Sequence, residues 1–339
     1  MLLTYSCRRV LSRIDFMTRV FLATGVAGLT RAELPGDDVE TVAAGFDVRC
    51  MAADPRAEQN VYAGTQGDGV LRSDDAGRTW RRSGLEGWVV KSLTISAAVP
   101  GRVYAGTKPA CVFVSEDRGG TWRELTGFRR IFSRRFWFSP AELPFKAYVQ
   151  GIALSPKDPD LIVAGIEAGA LVRSTDGGRS WQDHRQGAMR DCHHLVGHAT
   201  ADGRFYEGGS GGGACSTDAG ATWRRPSGLD RKYGWAVAAD PANPDCWYVS
   251  VSPGIQAHSE HAQAAIFRSD GGDWRRLSGG LPEPLDFMPY ALISGPAPGQ
   301  LLAGLASGEM WESQDHGDSW TKIALRMPAI ERCLVRLQV

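Results

Sequence analysis

Ser73–Trp80 (SDDAGRTW), Ser115–Trp122 (SEDRGGTW), Ser174–Trp181 (STDGGRSW), Ser216–Trp223 (STDAGATW) and Ser313–Trp320 (SQDHGDSW) spell one pattern five times, Ser-x-Asp-x-Gly-x-Thr/Ser-Trp. A shortened copy, SDGGDW, ends at Trp274. Self-similarity at a period of roughly 20–50 residues is the signature of a repeat architecture. In each full copy the carboxylate (Asp75, Asp117, Asp176, Asp218, Asp315) is suited to accept N–H groups of a turn, and the glycine to supply a positive φ. The closing tryptophan (Trp80, Trp122, Trp181, Trp223, Trp274, Trp320) re-enters the sheet and fills a core slot. So many copies cannot all serve one active site, so the aspartates read as structural.

Working outward from the first copy, the chain runs VRCMAADP, NVYAGT, GVLRSDDAG and RTWRRSG. These are four strands from innermost to outermost, with the aspartate turn between the third and fourth. Later units start near Val90, Val149, Cys192, Gly234 and Met288, which makes six complete units. The chain ends supply a seventh. RVFLATGVAGLTRAE matches the second and third strands, DVETVAAG serves as a fourth, and IERCLVRLQV matches the first. Pairing Ile330–Leu337 with Val20–Thr24 closes the ring and removes the sheet edges of an open array. The expectation is an all-β, seven-bladed β-propeller of four-stranded blades, a single domain over residues 17–339. Residues 1–16 then form an extension outside the fold, with Met17 as a candidate start.

The repeated motif resembles the Asp-box, or bacterial neuraminidase repeat, of sialidases, sortilin-type receptors, some glucan hydrolases and many bacterial propellers. The likeness spans nearly the whole chain. It implies either a non-catalytic binding scaffold, comparable to sortilin-type and photosystem-assembly propellers, or a glycoside hydrolase. Sialidases need an arginine triad, a Tyr–Glu nucleophile pair and an Asp acid/base, and no Arg-Ile-Pro signature precedes the first strand here. A glucan hydrolase needs two carboxylates about 5–9 Å apart. Glu167, Asp191, Glu207 and Asp286 are available, with Tyr290 as a further catalytic candidate. No motif singles out a pair, so the binding scaffold is the leading expectation and the hydrolase the alternative.

Composition narrows the partners. Lys plus Arg and Asp plus Glu are both 38, so no global field steers the protein toward nucleic acid. The 41 glycines exceed the usual ~7% and mark a turn-rich chain. Seven scattered cysteines with no CxxC pair fit neither a disulfide framework nor a zinc knuckle, which favours a cytoplasmic setting. Arg8 and Arg9 ahead of an apolar stretch leave secretion as the alternative. No run reaches the ~18 apolar residues of a membrane span. A monomer without cofactor or metal, binding a protein, a carbohydrate or a small anionic ligand, is expected.

Spacing points to the working face. The tryptophans are 42, 59, 42, 51 and 46 residues apart, so two units carry extra chain. The excess lies in Gly127–Tyr148, between one blade's outer strand and the next blade's inner strand, and in Pro253–Ala265, between second and third strands. Both connections emerge opposite the aspartate turns, at one mouth of the central channel. Loops carry function while repeats carry structure, so this mouth is the expected site. Arg49, Lys91, His193, Trp235, Tyr290 and Arg332 enter inner strands there, and Lys108 and Glu167 follow second strands. The insertion FRRIFSRRFWFSP adds Trp137 between arginines and phenylalanines, either as a ligand anchor or as a lid packed on the channel. His193 and His194 alternate across a strand and cannot share a metal, whereas His193 with His258 or His261 is geometrically conceivable. The pairs Arg81-Arg82, Arg224-Arg225 and Arg275-Arg276 lie on outer strands and discourage edge pairing.

Overall fold

The computed structural model describes residues 19–25, 28–34, 36 and 38–338. The expected extension over residues 1–16 and the candidate start at Met17 lie outside them. Each hairpin alternates core-facing residues, and seven antiparallel sheets result, arranged as blades around a ring. The inner strands of blades I to VI are Val48–Asp54, Val89–Ile95, Val149–Leu154, Cys192–Gly197, Tyr233–Ala239 and Pro289–Ser294. Blade VII runs, from the inside out, Leu334–Gln338, Arg19–Gly25, Gly28–Leu34 and Val39–Val42. The closing register pairs Val20 with Leu337 and Ala23 with Leu334, so the two chain ends complete one blade.

The aspartate turns form as their chemistry requires. In blade I, Asp75 accepts hydrogen bonds from Thr79 N–H (2.9 Å) and Thr79 Oγ1 (2.6 Å), while Ser73 Oγ donates to Asp75 Oδ1 (2.7 Å) and accepts Gly77 N–H (2.8 Å). Gly77 has φ +83°. The indole of Trp80 closes the turn on the Gly77 carbonyl at 2.9 Å. In the shortened copy the corresponding carbonyl, of Gly271, accepts Arg224 Nη2 at 2.9 Å, and the buried Trp274 Nε1 has no partner among the described residues.

Two blades are three-stranded where four strands were expected. In blade III the Leu171 N–H is taken by His184 Nδ1 at 3.2 Å, and the outer strand shrinks to one bridge, Arg173 to Gln182. In blade IV a single bridge, Cys215 to Arg224, remains before Pro226, which has no N–H to continue a ladder.

Among the described residues the core is divided. Apolar side chains gather in seven clusters, one between each pair of neighbouring blades, as with Val163, Leu171, Leu195, Phe205 and Trp223 between III and IV. Each blade therefore buries its faces only against neighbours.

Six inner strands share a defect at their first turn of pairing. Register shifts fall between Val48 and Cys50, Val90 and Ser92, Val149 and Gly151, Cys192 and His194, Gly234 and Val237, and Pro289 and Ala291. A β-bulge re-aims the extra side chain. Across five of the bulges stands a glycine of the second strand. A Cβ at Gly64 would come 2.6 Å from Val90 of the next blade, and one at Gly208 would come 2.4 Å from the Trp235 carbonyl. In blade V Ser250 takes this place, its hydroxyl accepting the Ala236 N–H (3.0 Å) and donating to the Pro289 carbonyl (2.8 Å).

Because the closing strand covers both neighbouring interfaces, removing residues 330–339 should lower the melting temperature of the whole ring in one cooperative transition. A truncated protein that melted like the parent would show that the ring does not depend on this strand.

Candidate functional site

The bulges expel Arg49, Lys91, Gln150, His193, Trp235 and Tyr290, and each of these side chains lines a cavity of about 930 Å³ at one mouth of the channel. Arg332, just ahead of Leu334–Gln338, also lines it. Every blade thus contributes to the mouth. Both insertions reach the same rim, the first through Pro140 and Ala141, the second through Ile255 and His258.

Chemistry changes around this ring. Blades I and II are cationic, and their charges meet a carboxylate supplied by the first insertion. Arg49 Nη2 lies 2.7 Å from Glu142 Oε2, Lys91 Nζ pairs with Oε1, and Lys108 Nζ donates to the Glu142 carbonyl at 2.7 Å. The two ammonium groups also stand over the Tyr148 ring, at 4.6 and 5.9 Å. Burial, with repulsion from Arg49 and Lys108, pulls Lys91 down to about 8 despite its Glu142 partner. Arg332 pairs with Asp47 at 2.6 Å, and Arg49 reaches the same carboxylate at 3.2 Å.

Blades III and IV turn the wall acidic. Burial and the neighbouring Asp191 charge push Glu167 up to about 7. Burial also acts to raise Asp191, yet hydrogen bonds from His193, Ser210 and the Ala168 N–H outweigh it and bring the group to about 2. His193 is buried, and its Nδ1 lies 2.7 Å from the Gly234 carbonyl. Its Nε2 stands 3.3 Å from Asp191 Oδ2. Although burial opposes charging the imidazole, Asp191 and Glu167 shift its pKa upward.

Blades V and VI are aromatic. Trp235 lies against His193 (4.6 Å, 32°) and edge-on to Tyr290 (4.9 Å, 77°). His258 is clamped, its Nδ1 2.6 Å from the Tyr290 hydroxyl and its Nε2 3.0 Å from that of Tyr233. Both ring nitrogens are thereby used, so His258 does not join His193 in a metal site. His261 is exposed.

Four sequence candidates stand elsewhere. Trp137 packs inward on Phe128 (5.6 Å), donates to Ser133 Oγ (3.0 Å) and belongs to the cluster between blades II and III. It braces the insertion, while Phe132 and Phe136 are exposed with the Arg135 guanidinium over both rings. Lys108 does not line the cavity and reaches the site through Glu142 and the Tyr148 ring. Asp286 is exposed and outside the cavity. Glu207 is fully buried in the second strand of blade IV, where the other blades carry Ala63, Ala105, Ala164, Val249 and Ala303. That alignment was the signal that it belongs to the interior. Gln150, Tyr148 and Glu142 were not singled out. The last was recognisable only as the lone acidic residue of Gly127–Tyr148.

Fold and site together define a seven-bladed β-propeller whose channel mouth is lined by one bulged side chain from nearly every blade. The GH74 xyloglucanase from Xanthomonas campestris shares the fold at a TM-score of 0.66 and 18% identity over 88% of this chain and 52% of its own. An ancestral GH74 enzyme matches at 0.63 and 19%, over 81% and 38%. YCF48 bound to a D1 peptide matches at 0.56 and 16% over 84% of both chains, and YCF48 from Cyanidioschyzon merolae at 0.57 and 12% over 84% and 87%. This chain thus spans about half or less of the GH74 proteins. No protein-family model and no curated protein matches the sequence. Six described cysteines are free, and no helix among the described residues is long and apolar enough to cross a membrane.

Glu207 makes stability depend on pH. Complete burial raises its carboxyl to about 8, and among the described residues the carboxyl's one hydrogen bond is from the Met189 N–H to Oε2 at 3.0 Å. A carboxyl raised from the ordinary ~4.3 is protonated in the fold, so its contribution is intact below that value and is lost as pH climbs toward 8. The melting temperature should fall from pH 5 to 8, and Glu207→Gln, which keeps an acceptor for Met189, should flatten the fall and recover on the order of 4 kcal/mol at pH 8. A parent and variant with parallel pH profiles would contradict this.

Proposed function

We propose that this propeller is a binding scaffold that takes an acidic peptide segment of a protein partner into the channel mouth, against Arg49 and Lys91. The observation that carries the reading is Glu142, on a loop that lies across the rim: Arg49 and Lys91 pair with its carboxylate, and Lys108 stands 3.5 Å from the same group while donating to its backbone carbonyl. An Arg and two Lys so placed form a ready carboxylate receptor, and charge-assisted pairs of this kind are the strong ones. The loop's own acid occupies it as an internal stand-in. The aromatic wall of Tyr233, Trp235 and Tyr290 elsewhere in the same cavity supplies flat, weakly hydrated surface of the kind that anchors peptides. The likeness to a propeller of comparable length, YCF48 bound to a peptide, agrees with this reading. The repeated turn, with the same serine and aspartate hydrogen bonds in blades I to IV and VI, supports counting the chain among Asp-box propellers.

A glycoside hydrolase on the pattern of the GH74 neighbours would use Glu167 and Asp191. Their nearest oxygens lie within 4.8 Å on one wall, beside a shared histidine, whereas glycosidase carboxylates flank the scissile bond. The binding reading is therefore the stronger.

Glu142→Ala should tighten the binding of a poly-glutamate peptide about tenfold by removing the internal competitor, and Arg49→Ala or Lys91→Ala should weaken it by a similar factor. Titration calorimetry measures all three. Lys91 loses its proton near pH 8, so affinity should drop between pH 7 and 9. Equal affinity for all variants, or turnover of a glucan that Glu167→Gln abolishes with binding retained, would overturn the reading.

A further inference from the structure

We infer that Glu167, Asp191 and His193 form a site for one divalent transition-metal ion, of the zinc or cobalt type, on the wall of the cavity. One donor atom from each lies within 4.8 Å of the others, and they come from the end of a second strand, the start of the next inner strand and its bulge. The site is additional to the peptide receptor on blades I and II and does not rest on it.

His193 shows which atom would bind. Its side chain is 2% exposed, and its Nδ1 lies 2.7 Å from the Gly234 carbonyl, an atom that can only accept, so Nδ1 carries the proton. The lone pair of Nε2 then faces Asp191 Oδ2 across 3.3 Å. Two acceptors at that separation repel unless a cation lies between them, either a second proton on the ring or a metal ion. With bonds of about 2.0–2.2 Å, two ligands of one tetrahedral ion stand roughly 3.4 Å apart, close to the separation here. The wall already holds the pair at coordination distance.

The surroundings are those of outer-shell support. A ligating histidine ordinarily donates its other N–H to a carbonyl or carboxylate, as His193 does to Gly234. Asp191 Oδ1 accepts the Ala168 N–H at 3.0 Å, and Oδ2 accepts the Ser210 hydroxyl. Trp235 and Tyr233 lie 4.6 and 4.8 Å from the imidazole and fix its plane. One imidazole and two carboxylates suit zinc, cobalt, manganese or ferrous ions better than calcium, which prefers six or more oxygens. All three residues line the cavity, so the remaining coordination positions open into it.

The test is titration of the full chain, stripped of metal by a chelator and dialysed, with zinc, cobalt and calcium ions at pH 7. One equivalent of zinc or cobalt should bind with micromolar affinity or better, calcium at least 100-fold more weakly, and bound cobalt should show visible absorption bands. Glu167→Gln and Asp191→Asn should each weaken zinc binding tenfold or more, the usual range for a lost ligand or support being 10–100-fold. His193→Gln should do the same, and because that residue is buried its folding is checked by circular dichroism while the two carboxylate variants keep the test decisive. His261→Ala should change nothing. Absence of saturable zinc and cobalt binding by the parent overturns the inference, as does binding that survives both carboxylate variants or is lost only with His261. The poly-glutamate titration on the same metal-free protein reports on Arg49 and Lys91, so either result can fail without the other.

Discussion

Seven inner strands meet around one axis, and the closeness of that meeting governs the structure. At the level of Gly64, Gly106, Gly165, Gly208 and Gly304 the next blade comes so near that a single Cβ would overlap it. The same level is where the inner strand cannot keep its register and bulges. Blade V meets the constraint differently, with a serine whose hydroxyl supplies the hydrogen bonds that the irregular backbone leaves unmet. Crowding at the axis therefore produces the ring of side chains that line the mouth. The residues that line the mouth are those for which the sheet has no paired place.

Much of this was legible in the residues. The serine–aspartate turn is local chemistry, repeated, and its hydrogen bonds follow from four residue types at fixed spacing. Closure was legible because Arg19–Gly25 and Leu334–Gln338 each carry a fragment of the same repeat. The structure places Arg49, Lys91, His193, Trp235, Tyr290 and Arg332 at the mouth, as each stands at or just before the start of its inner strand. The bulges themselves were not legible, because they follow from contact between blades. Trp137 and Glu207 mark the two limits: an aromatic in a polar loop turned inward for want of a rule fixing loop orientation, and an acid occupied a position the repeat gives to alanine. Glu142 could be seen as a lone acid, but its three cations come from segments 34 to 93 residues away.

The neutral balance of the whole chain conceals a sorted interior surface. Arginine and lysine collect on blades I and II, carboxylates on III and IV, and aromatic rings on V and VI. A chain with no long-range field can still present strong local ones, because buried groups are screened far less than surface charges. The acidic and basic sectors meet at Tyr148, whose ring carries the two ammonium groups and whose hydroxyl is pushed up by burial and by the charges of Glu167 and Glu142.

The closing blade also decides how the molecule can be held. Arg19 pairs with Gln338 at the end of the sheet farthest from the mouth, where Gln338 N–H bonds Glu58 and Arg19 bonds Glu312 beside an aspartate turn. The described chain thus enters the ring at Arg19 and leaves it at Gln338 on the turn face. A linker joined directly at either residue would hold the propeller with its channel mouth pointing away from the attachment, in the same orientation both ways.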